Sequence, residues 1–259
     1  MISKYQNYFK LYGRGVSAMK KNVLVFPCGS EIGLEINRAL ANSIHVELFG
    51  GSSVLNHGKY VYKNFIDGLP FVDSPYFIEE LNNVVDKYNI DLIYPAHDSV
   101  LLELSKRSNE LKCNVVASSY ETCSICRSKG KTYHLFEDKL STPKVYSDST
   151  TIDSYPVFLK PDIGEGARGT KIAYSKEDVD FYISKNNSLL ILEYLPGKEY
   201  TIDCFTDGRG ELRFVGGRER ARIQGISVHT TPVSDTRFFE LATIINQTFK
   251  TCRSLVFSS

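Results

Sequence analysis

The chain has 259 residues, of which 42% are hydrophobic and 24% charged, and this is ordinary for a globular protein of one large or two modest domains. Its formal net charge of +1 excludes a whole-surface attraction to nucleic acid or to an anionic membrane, so any anion recognition must be local. The apolar runs are far shorter than the roughly 20 residues that cross a bilayer, and the first 21 residues contain no apolar signal-peptide core.

The cysteines and histidines follow no pattern that requires a metal or a disulfide. Without an export signal, the six cysteines are predicted to be reduced thiols, which favours a cytoplasmic protein. Cys123 and Cys126 form a C-x-x-C, the spacing of a redox pair or of half a zinc site, but no second C-x-x-C or H-x-x-x-H accompanies it. We interpret it as two thiols on one face of a short helix. The five histidines are scattered, without metal-ligand spacing.

The first half of the chain alternates predicted strands with predicted helices. Residues 1–18 precede MKKNVLVF, which begins at Met19 and looks like a natural start, so we expect them to lie outside the core fold. From residue 22 a buried run ends at Pro27, a glycine turn follows, and apolar residues then recur at helical spacing. The next elements are expected to be a strand at 44–50, a helix at 75–89, a strand and loop at 90–99, a helix at 101–111 and a strand at 113–118. This alternation predicts a Rossmann-like parallel sheet with helices on both faces.

Two loops in this half are candidate ligand sites, each with a plain structural alternative. The turn from Gly29 to Gly33 could hold a nicotinamide dinucleotide, but it lacks a complete G-x-G-x-x-G and the usual ribose-binding acid, so a tight turn is favoured. His97 and Asp98 follow the carboxyl end of a strand and could contact an acceptor substrate. A helix start with Asp98 or Ser99 as N-cap is favoured there.

The pattern changes after about residue 120. Residues 120–139 are predicted to be helical and basic, and the turn Asp207-Gly208-Arg209-Gly210 is a strong hairpin signal. Strands are expected at 156–161, 171–175, 189–195, 198–207 and 211–220, and helices at 176–186 and 235–249. The second half is therefore predicted to be an antiparallel sheet with two covering helices.

The connection inside 157-VFLKPDIGEGARGTKIAYS-175 is much longer than two neighbouring strands require. Its three glycines allow successive backbone N–H groups to point into one concavity, which suits a phosphate. The stretch 192-LEYLPGKEYTID-203 and the arginines 218, 220 and 222 follow, and their alternation predicts that the three arginines share one face of a strand. Taken singly, a lysine at a strand end or alternating arginines more often mark a solvated surface.

In this order, K-P-x-x-G-x-G-x-x-G followed by E-Y-x-x-G-x-E-Y-T-x-D resembles the ATP-grasp superfamily. The likeness covers about residues 20 to 250 and is greatest to the carbamoyl-phosphate-synthase large-chain type with its preceding domain. It implies an α/β protein with a Rossmann-like pre-ATP-grasp domain at 19–119 and an incomplete α+β ATP-grasp domain at 120–259, after the extension at 1–18.

The resemblance also implies which residues bind ATP. Lys129 and Lys160 match the two lysines that contact the nucleotide. The loop that closes over the triphosphate is matched by Gly164, Gly166, Ala167, Arg168 and Gly169.

The remaining implied site residues lie further along the chain. Glu193, Tyr194 and Leu195 match the hinge whose backbone binds the adenine edge, and Glu199 matches the acid that holds the nucleoside. Arg218 and Arg220 match the cations that face the phosphates or an acyl phosphate, and are the candidate catalytic residues.

The end of the chain departs from the family pattern. The family holds Mg²⁺ with an acid and an E-x-N on two late strands, whereas the last carboxylate here, Glu240, falls in a predicted helix with no E-x-N after it. Asp203 is one further carboxylate that could offer a ligand. We therefore assign no metal ligand, although the family expectation is ATP with Mg²⁺.

The expected activity is ATP-dependent ligation of a carboxylate to an amine through an acyl phosphate, on a substrate that the sequence does not identify. The alternatives are an ATP-binding module or truncated pseudoenzyme without turnover, and the nicotinamide-binding protein considered above. A separately encoded C-terminal half or a homodimer is a further expected partner, and neither nucleic acid nor membrane is.

Overall fold

The computed structural model describes residues 20–164, 168–207, 209–224, 226–249 and 255–257. The predictions made for residues 1–18, Gly166 and Ala167 lie outside these ranges. The chain divides into two compact units. The first runs to Val100 and includes Ser108–Val115, and the second contains Leu101–Arg107 and the chain from Val116 onward.

The first unit is built on a parallel five-stranded sheet of order β3-β2-β1-β4-β5. The strands are β1 (Lys21–Phe26), β2 (Val46–Gly51), β3 (Asn64–Ile66), β4 (Leu92–Pro95) and β5 (Asn114–Val115). The helices are α1 (Glu31–Leu40), α2 (Gly58–Val61) and α3 (Phe77–Tyr88), with a short 3-10 helix at Ser108–Glu110. A further helix, α4 (Asp98–Lys106), begins in this unit, and its residues from Leu101 onward belong to the second. The predicted Rossmann-like parallel sheet is thus confirmed.

Burial of β1 organises this unit. Leu24 and Val25 are fully buried in the strand, and the ring of Phe26 lies 6.0 Å from that of Phe77 in α3. After the strand, the hydroxyl of Ser30 accepts a hydrogen bond from the N–H of Gly33 at 3.0 Å and caps α1. The apolar run and the polar cap together explain why strand, turn and helix follow one another here.

The glycines of this turn are accounted for by packing within the unit. A Cβ on Gly29 would lie 2.4 Å from the side chain of Asn56, and one on Gly33 would lie 2.5 Å from the carbonyl oxygen of Cys28. Gly33 therefore excludes a side chain, because the contact is with backbone, whereas at Gly29 the Asn56 side chain would have to shift. Packing in a tight turn is sufficient to account for Gly33. The helix start expected near residue 98 is also present: α4 begins at Asp98, and Nδ1 of His97 accepts from the N–H of Ser99 at 3.3 Å.

The second unit contains two antiparallel four-stranded sheets, so the prediction of a single sheet is wrong. Sheet B has the order β6-β9-β7-β8, with β6 (Val145–Tyr146), β7 (Val157–Pro161), β8 (Lys171–Ala173) and β9 (Leu189–Glu193). Sheet C has the order β12-β11-β10-β13, with β10 (Tyr200–Thr206), β11 (Leu212–Gln224), β12 (Ile226–Val233) and β13 (Leu255–Phe257). The division arises because β9 pairs with β7 whereas β10 pairs with β11.

Besides most of α4, the described part of the second unit contains the helices α5 (Tyr120–Arg127), α6 (Lys129–Phe136), α7 (Lys176–Lys185) and α8 (Thr236–Phe249). The last two are the predicted helices at 176–186 and 235–249, and the basic helical region at 120–139 breaks at Ser128, whose backbone is extended. In the part of the chain that the structure describes, no helix has the length and apolar character needed to cross a membrane.

The two faces of β7 differ in character. Val157 and Leu159 are fully buried against Val179 of α7 and Ile191 of β9. Phe158 and Lys160 alternate with them and therefore point to the opposite face of sheet B.

Gly217→Ala tests how closely α8 packs on sheet C. A Cβ at residue 217 would lie 2.1 Å from Cε2 of Phe238, well inside van der Waals contact. Overpacking of this kind costs roughly 1–3 kcal/mol, so we expect a lower midpoint of urea unfolding. In a Phe238→Leu background, which removes the ring, the same substitution should cost less, and an equal cost in both backgrounds would contradict the contact.

Candidate functional site

The first turn of α6 is tied to the residues that follow β7. The Asp162 carboxylate accepts from the Ser128 hydroxyl at 2.9 Å and from the N–H of Gly130 at 2.7 Å. The Lys129 ammonium donates to the carbonyl oxygen of Asp162 at 3.0 Å and to that of Gly164 at 3.3 Å. Lys129 is thereby held at the entry to the glycine-rich loop.

Lys160 is half-buried on the face of β7 opposite its core residues. Its ammonium donates to the Tyr133 hydroxyl at 3.4 Å. Burial lowers the pKa of Lys160 below that of an ordinary lysine, and the charge of Glu199 partly opposes this shift. Burial also raises the pKa of the Tyr133 hydroxyl, and the nearby Asp162 charge raises it further. A partly desolvated cation of this kind attracts an anion more strongly than an exposed one.

Both ends of the glycine-rich loop pack on Pro161. A Cβ on Gly164 would lie 3.4 Å from Cβ of Pro161, and one on Gly169 would lie 3.2 Å from its Cγ. Gly169 also has φ +77°, a conformation that favours glycine. Arg168 is exposed, while the predicted loop residues Gly166 and Ala167 lie outside the described ranges.

The predicted hinge residues lie at the end of β9. Glu193 is the last residue of the strand, where its N–H donates to the carbonyl oxygen of Lys144 at 2.8 Å and its carboxylate accepts from the Lys144 N–H at 3.1 Å. Tyr194 and Leu195, 36% and 60% exposed, follow beyond the sheet. Their backbone roles toward a nucleotide stay predictions.

The predicted catalytic arginines are each paired with an acid, Asp203 in β10 or Glu199 just before it. Arg218 makes two hydrogen bonds to the Asp203 carboxylate, at 2.7 and 3.0 Å. Arg220 forms an ion pair with Glu199. Arg218 faces Thr201 across the strands, so the acids two residues to either side of Thr201 share its face.

The pairing of β11 with β12 shifts between Arg220 and Arg222, and the face of the strand that the third arginine takes stays a prediction. A bulge of this kind breaks the two-residue period on which the prediction depended.

A Mg²⁺ site is not assembled by the residues that the structure describes. Among them, no group of three or more His, Cys, Asp and Glu side chains comes together. Asp203, the carboxylate considered as a ligand, is bound by Arg218, and Glu199 by Arg220. The described donors therefore do not fit the metal, and no chemical step is assigned to it here.

Three residues at this site were not selected from the sequence: Ser128, Tyr133 and Asp162. Of the three, Ser128 could have been found from the sequence, because serine is a preferred helix N-cap. Its hydroxyl accepts from the Lys131 N–H at 3.1 Å at the start of α6. Asp162 is separated from Ser128 by 34 residues, and no spacing rule connects the two.

Residues 126–255, half of the chain, match the family described as the ATP-grasp domain. The carbamoyl phosphate synthase large chain of Clostridium perfringens (strain SM101) is 21% identical over 230 residues, covering 80% of this chain and 22% of that protein. The corresponding protein of Clostridium botulinum (strain Kyoto) is 27% identical over 140 residues, covering 51% and 12%. This chain thus spans about a fifth or less of the length of these relatives.

Solved structures share the fold. The biotin carboxylase domain of Hydrogenobacter thermophilus 2-oxoglutarate carboxylase, in complex with MgADP, ADP and bicarbonate, aligns with a TM-score of 0.69 and 14% identity, over 88% of this chain and 57% of that one. Staphylococcus aureus N5-carboxyaminoimidazole synthetase, complexed with ADP, aligns with a TM-score of 0.69 and 15% identity, over 94% and 68%. Together these matches confirm the predicted resemblance to ATP-grasp proteins of the carbamoyl-phosphate-synthase type.

Lys160→Met should raise the free energy of unfolding at neutral pH. The pKa of Lys160 is lower in the folded than in the unfolded chain, so the fold carries the cost of a buried ammonium below the folded pKa, and this cost disappears as the pH rises through it. Methionine retains the apolar packing without the charge. In urea unfolding, the gain over wild type should shrink as the pH approaches about 10.4, the unfolded value.

The matched control is Lys171→Met, at an exposed position on the neighbouring strand β8. It should change the unfolding free energy little at any pH. A Lys160→Met variant less stable than wild type at neutral pH would contradict the burial argument.

Proposed function

This chain belongs to the ATP-grasp family, and we propose that it binds ATP and takes part in the ATP-dependent ligation of a carboxylate to an amine. The nucleotide would be held by the region 120–259, with 19–119 as the preceding Rossmann-like domain. The observation that carries the proposal is the environment of the Lys160 ammonium. Lys160 is half-buried, and its ammonium forms no hydrogen bond to a carboxylate among the described residues, at the strand end that leads into the glycine-rich loop.

The phosphates are assigned to the two lysines and the loop. Lys160 supplies a partly desolvated positive charge, and Lys129 supplies a second at the loop entry. The glycines 164, 166 and 169, with Ala167 and Arg168, would close over the triphosphate and exclude water. ADP is bound in the solved structures of both the biotin carboxylase domain and the synthetase, and this supports an adenine nucleotide here.

The nucleoside is assigned to the other end of the site. Backbone groups of Glu193, Tyr194 and Leu195 would bind the adenine edge, and Glu199 would hold the ribose. Arg218 and Arg220 are the proposed cations for the phosphates or for an acyl phosphate. Because each is paired with an acid, the four side chains contribute no net charge, so the attraction for a polyanion comes chiefly from the lysines.

The proposed reaction needs little covalent chemistry from the protein. A substrate carboxylate oxygen attacks the γ-phosphorus of ATP and ADP leaves, which gives an acyl phosphate. An amine then attacks the acyl carbon, phosphate leaves and the amine gives up a proton. Positioning and charge neutralisation dominate such transfers. Mg²⁺ would supply part of that neutralisation in the family, and the described residues of this chain assemble no site that would hold it.

The first test is ligand-dependent thermal unfolding, because a ligand that binds only the folded state raises its apparent stability. We expect ATP and ADP to raise the melting temperature and NADH to leave it unchanged. A shift with NADH and none with ATP would overturn the proposal in favour of the nicotinamide alternative. Phosphate release in the presence of carboxylates separates a ligase from an ATP-binding module without turnover.

Lys160→Ala should weaken ATP binding more than Lys131→Ala. Loss of a charge-assisted contact costs roughly 1.5–3 kcal/mol. Lys131 is the matched control, because it is an exposed lysine of the nearby helix α6 whose ammonium contacts the Ser124 hydroxyl at 3.4 Å. Calorimetry that gives equal affinities for the two variants would remove Lys160 from the site.

A further inference from the structure

Asp162 is anchored on two sides. Its carboxylate accepts hydrogen bonds from the Ser128 hydroxyl and the Gly130 N–H, and both groups lie at the start of α6. Its own N–H donates to the carbonyl oxygen of Ser188 at 3.3 Å, just before β9. Ser128 caps the Lys131 N–H, and Asp162 satisfies a different donor of the same turn, the Gly130 N–H. The contacts therefore serve to fix residue 162 between the strand and the glycine-rich loop.

Lys129 depends on this anchoring. Its backbone N–H donates to the Asp162 carbonyl oxygen at 3.3 Å, and its ammonium donates to the same oxygen at 3.0 Å. Because a carbonyl direction follows from the backbone on either side of it, holding the Asp162 side chain also holds the oxygen that orients the Lys129 ammonium. The second acceptor, the Gly164 carbonyl oxygen at 3.3 Å, is two residues further into the loop stem.

We infer that Asp162 is a positioning residue for the nucleotide site, one that sets Lys129 and the loop stem in the geometry that phosphate binding requires. This inference rests on the proposed function. Asp162 would act through Lys129 and the stem, without touching the phosphates.

The direction in which ATP affinity changes when Asp162 is removed distinguishes a positioning role from a purely electrostatic one. Asp162 places a negative charge near Tyr133, whose hydroxyl contacts the Lys160 ammonium. If charge alone mattered, removing Asp162 would strengthen the binding of a polyanion. If positioning matters, removing it weakens binding although a repulsive charge has been lost.

The experiment compares Asp162→Ala and Asp162→Asn by calorimetric titration with ATP, at a temperature where both variants are folded. Asparagine can still accept from the Gly130 N–H and donate to the Ser128 hydroxyl oxygen. We expect alanine to weaken binding roughly tenfold or more, as for loss of a charge-assisted contact, and asparagine to bind as tightly as wild type or more tightly. If the alanine variant does not fold, Ser128→Ala, which removes the hydroxyl partner of Asp162 together with the cap on the Lys131 N–H, should weaken binding in the same direction.

Two controls separate positioning from a general loss of structure. Asp148→Ala removes a carboxylate that also accepts a backbone N–H, that of Thr150 at 2.7 Å, on a surface loop of the same unit, and should leave ATP affinity unchanged. In a Lys129→Met background, Asp162→Ala should add little further loss, because the two substitutions remove one coupled arrangement.

Unchanged or tighter binding by Asp162→Ala, whatever its melting temperature, would overturn the inference. So would additive losses with Lys129→Met. Failure of the wild-type chain to bind ATP would instead reject the proposed function itself.

Discussion

Strand β7 brings Lys160 to the candidate site because its alternate residues, Val157 and Leu159, are fully buried on the opposite face. Burial of those two side chains fixes the register of the strand, and a slip by one residue would put the lysine in the core. The same register places Pro161 against both ends of the glycine-rich loop and Asp162 against the first turn of α6. The candidate site is therefore a direct consequence of the hydrophobic packing beneath sheet B.

The charged side chains of the candidate site are balanced on sheet C but not at Lys160 of sheet B. On sheet C the acids Glu199 and Asp203 are matched by Arg220 and Arg218, whereas Lys160 faces the site with a hydroxyl as its described contact. The neutralised ion pairs produce a polar surface with a weak electrostatic field. A partly desolvated ammonium such as that of Lys160 produces a stronger local field. Under the proposed function, such a division would let one part of the site bind a nucleoside by shape and hydrogen bonding while another attracts its phosphates.

Local features were predictable from the sequence, and long-range pairings were not. The turn after β1, the helices α7 and α8 and the hairpin between β10 and β11 each have a periodicity or a glycine signal of their own. The separation of sheets B and C depends on whether β9 pairs with β7 or with β10, and strand composition does not encode that choice. Likewise, Asp162 and Ser128 meet only in the folded chain, and the register shift beyond Arg220 appears only when β12 is paired.

The Arg218–Asp203 pair also has a consequence for how the site can vary among relatives. The guanidinium and carboxylate satisfy each other through two hydrogen bonds while the two side chains remain 37% and 39% exposed. Replacing either residue alone would leave an unbalanced charge on sheet C, positive in one case and negative in the other. We therefore expect the residues at positions 203 and 218 to covary, so that related chains keep the pair or replace both residues together.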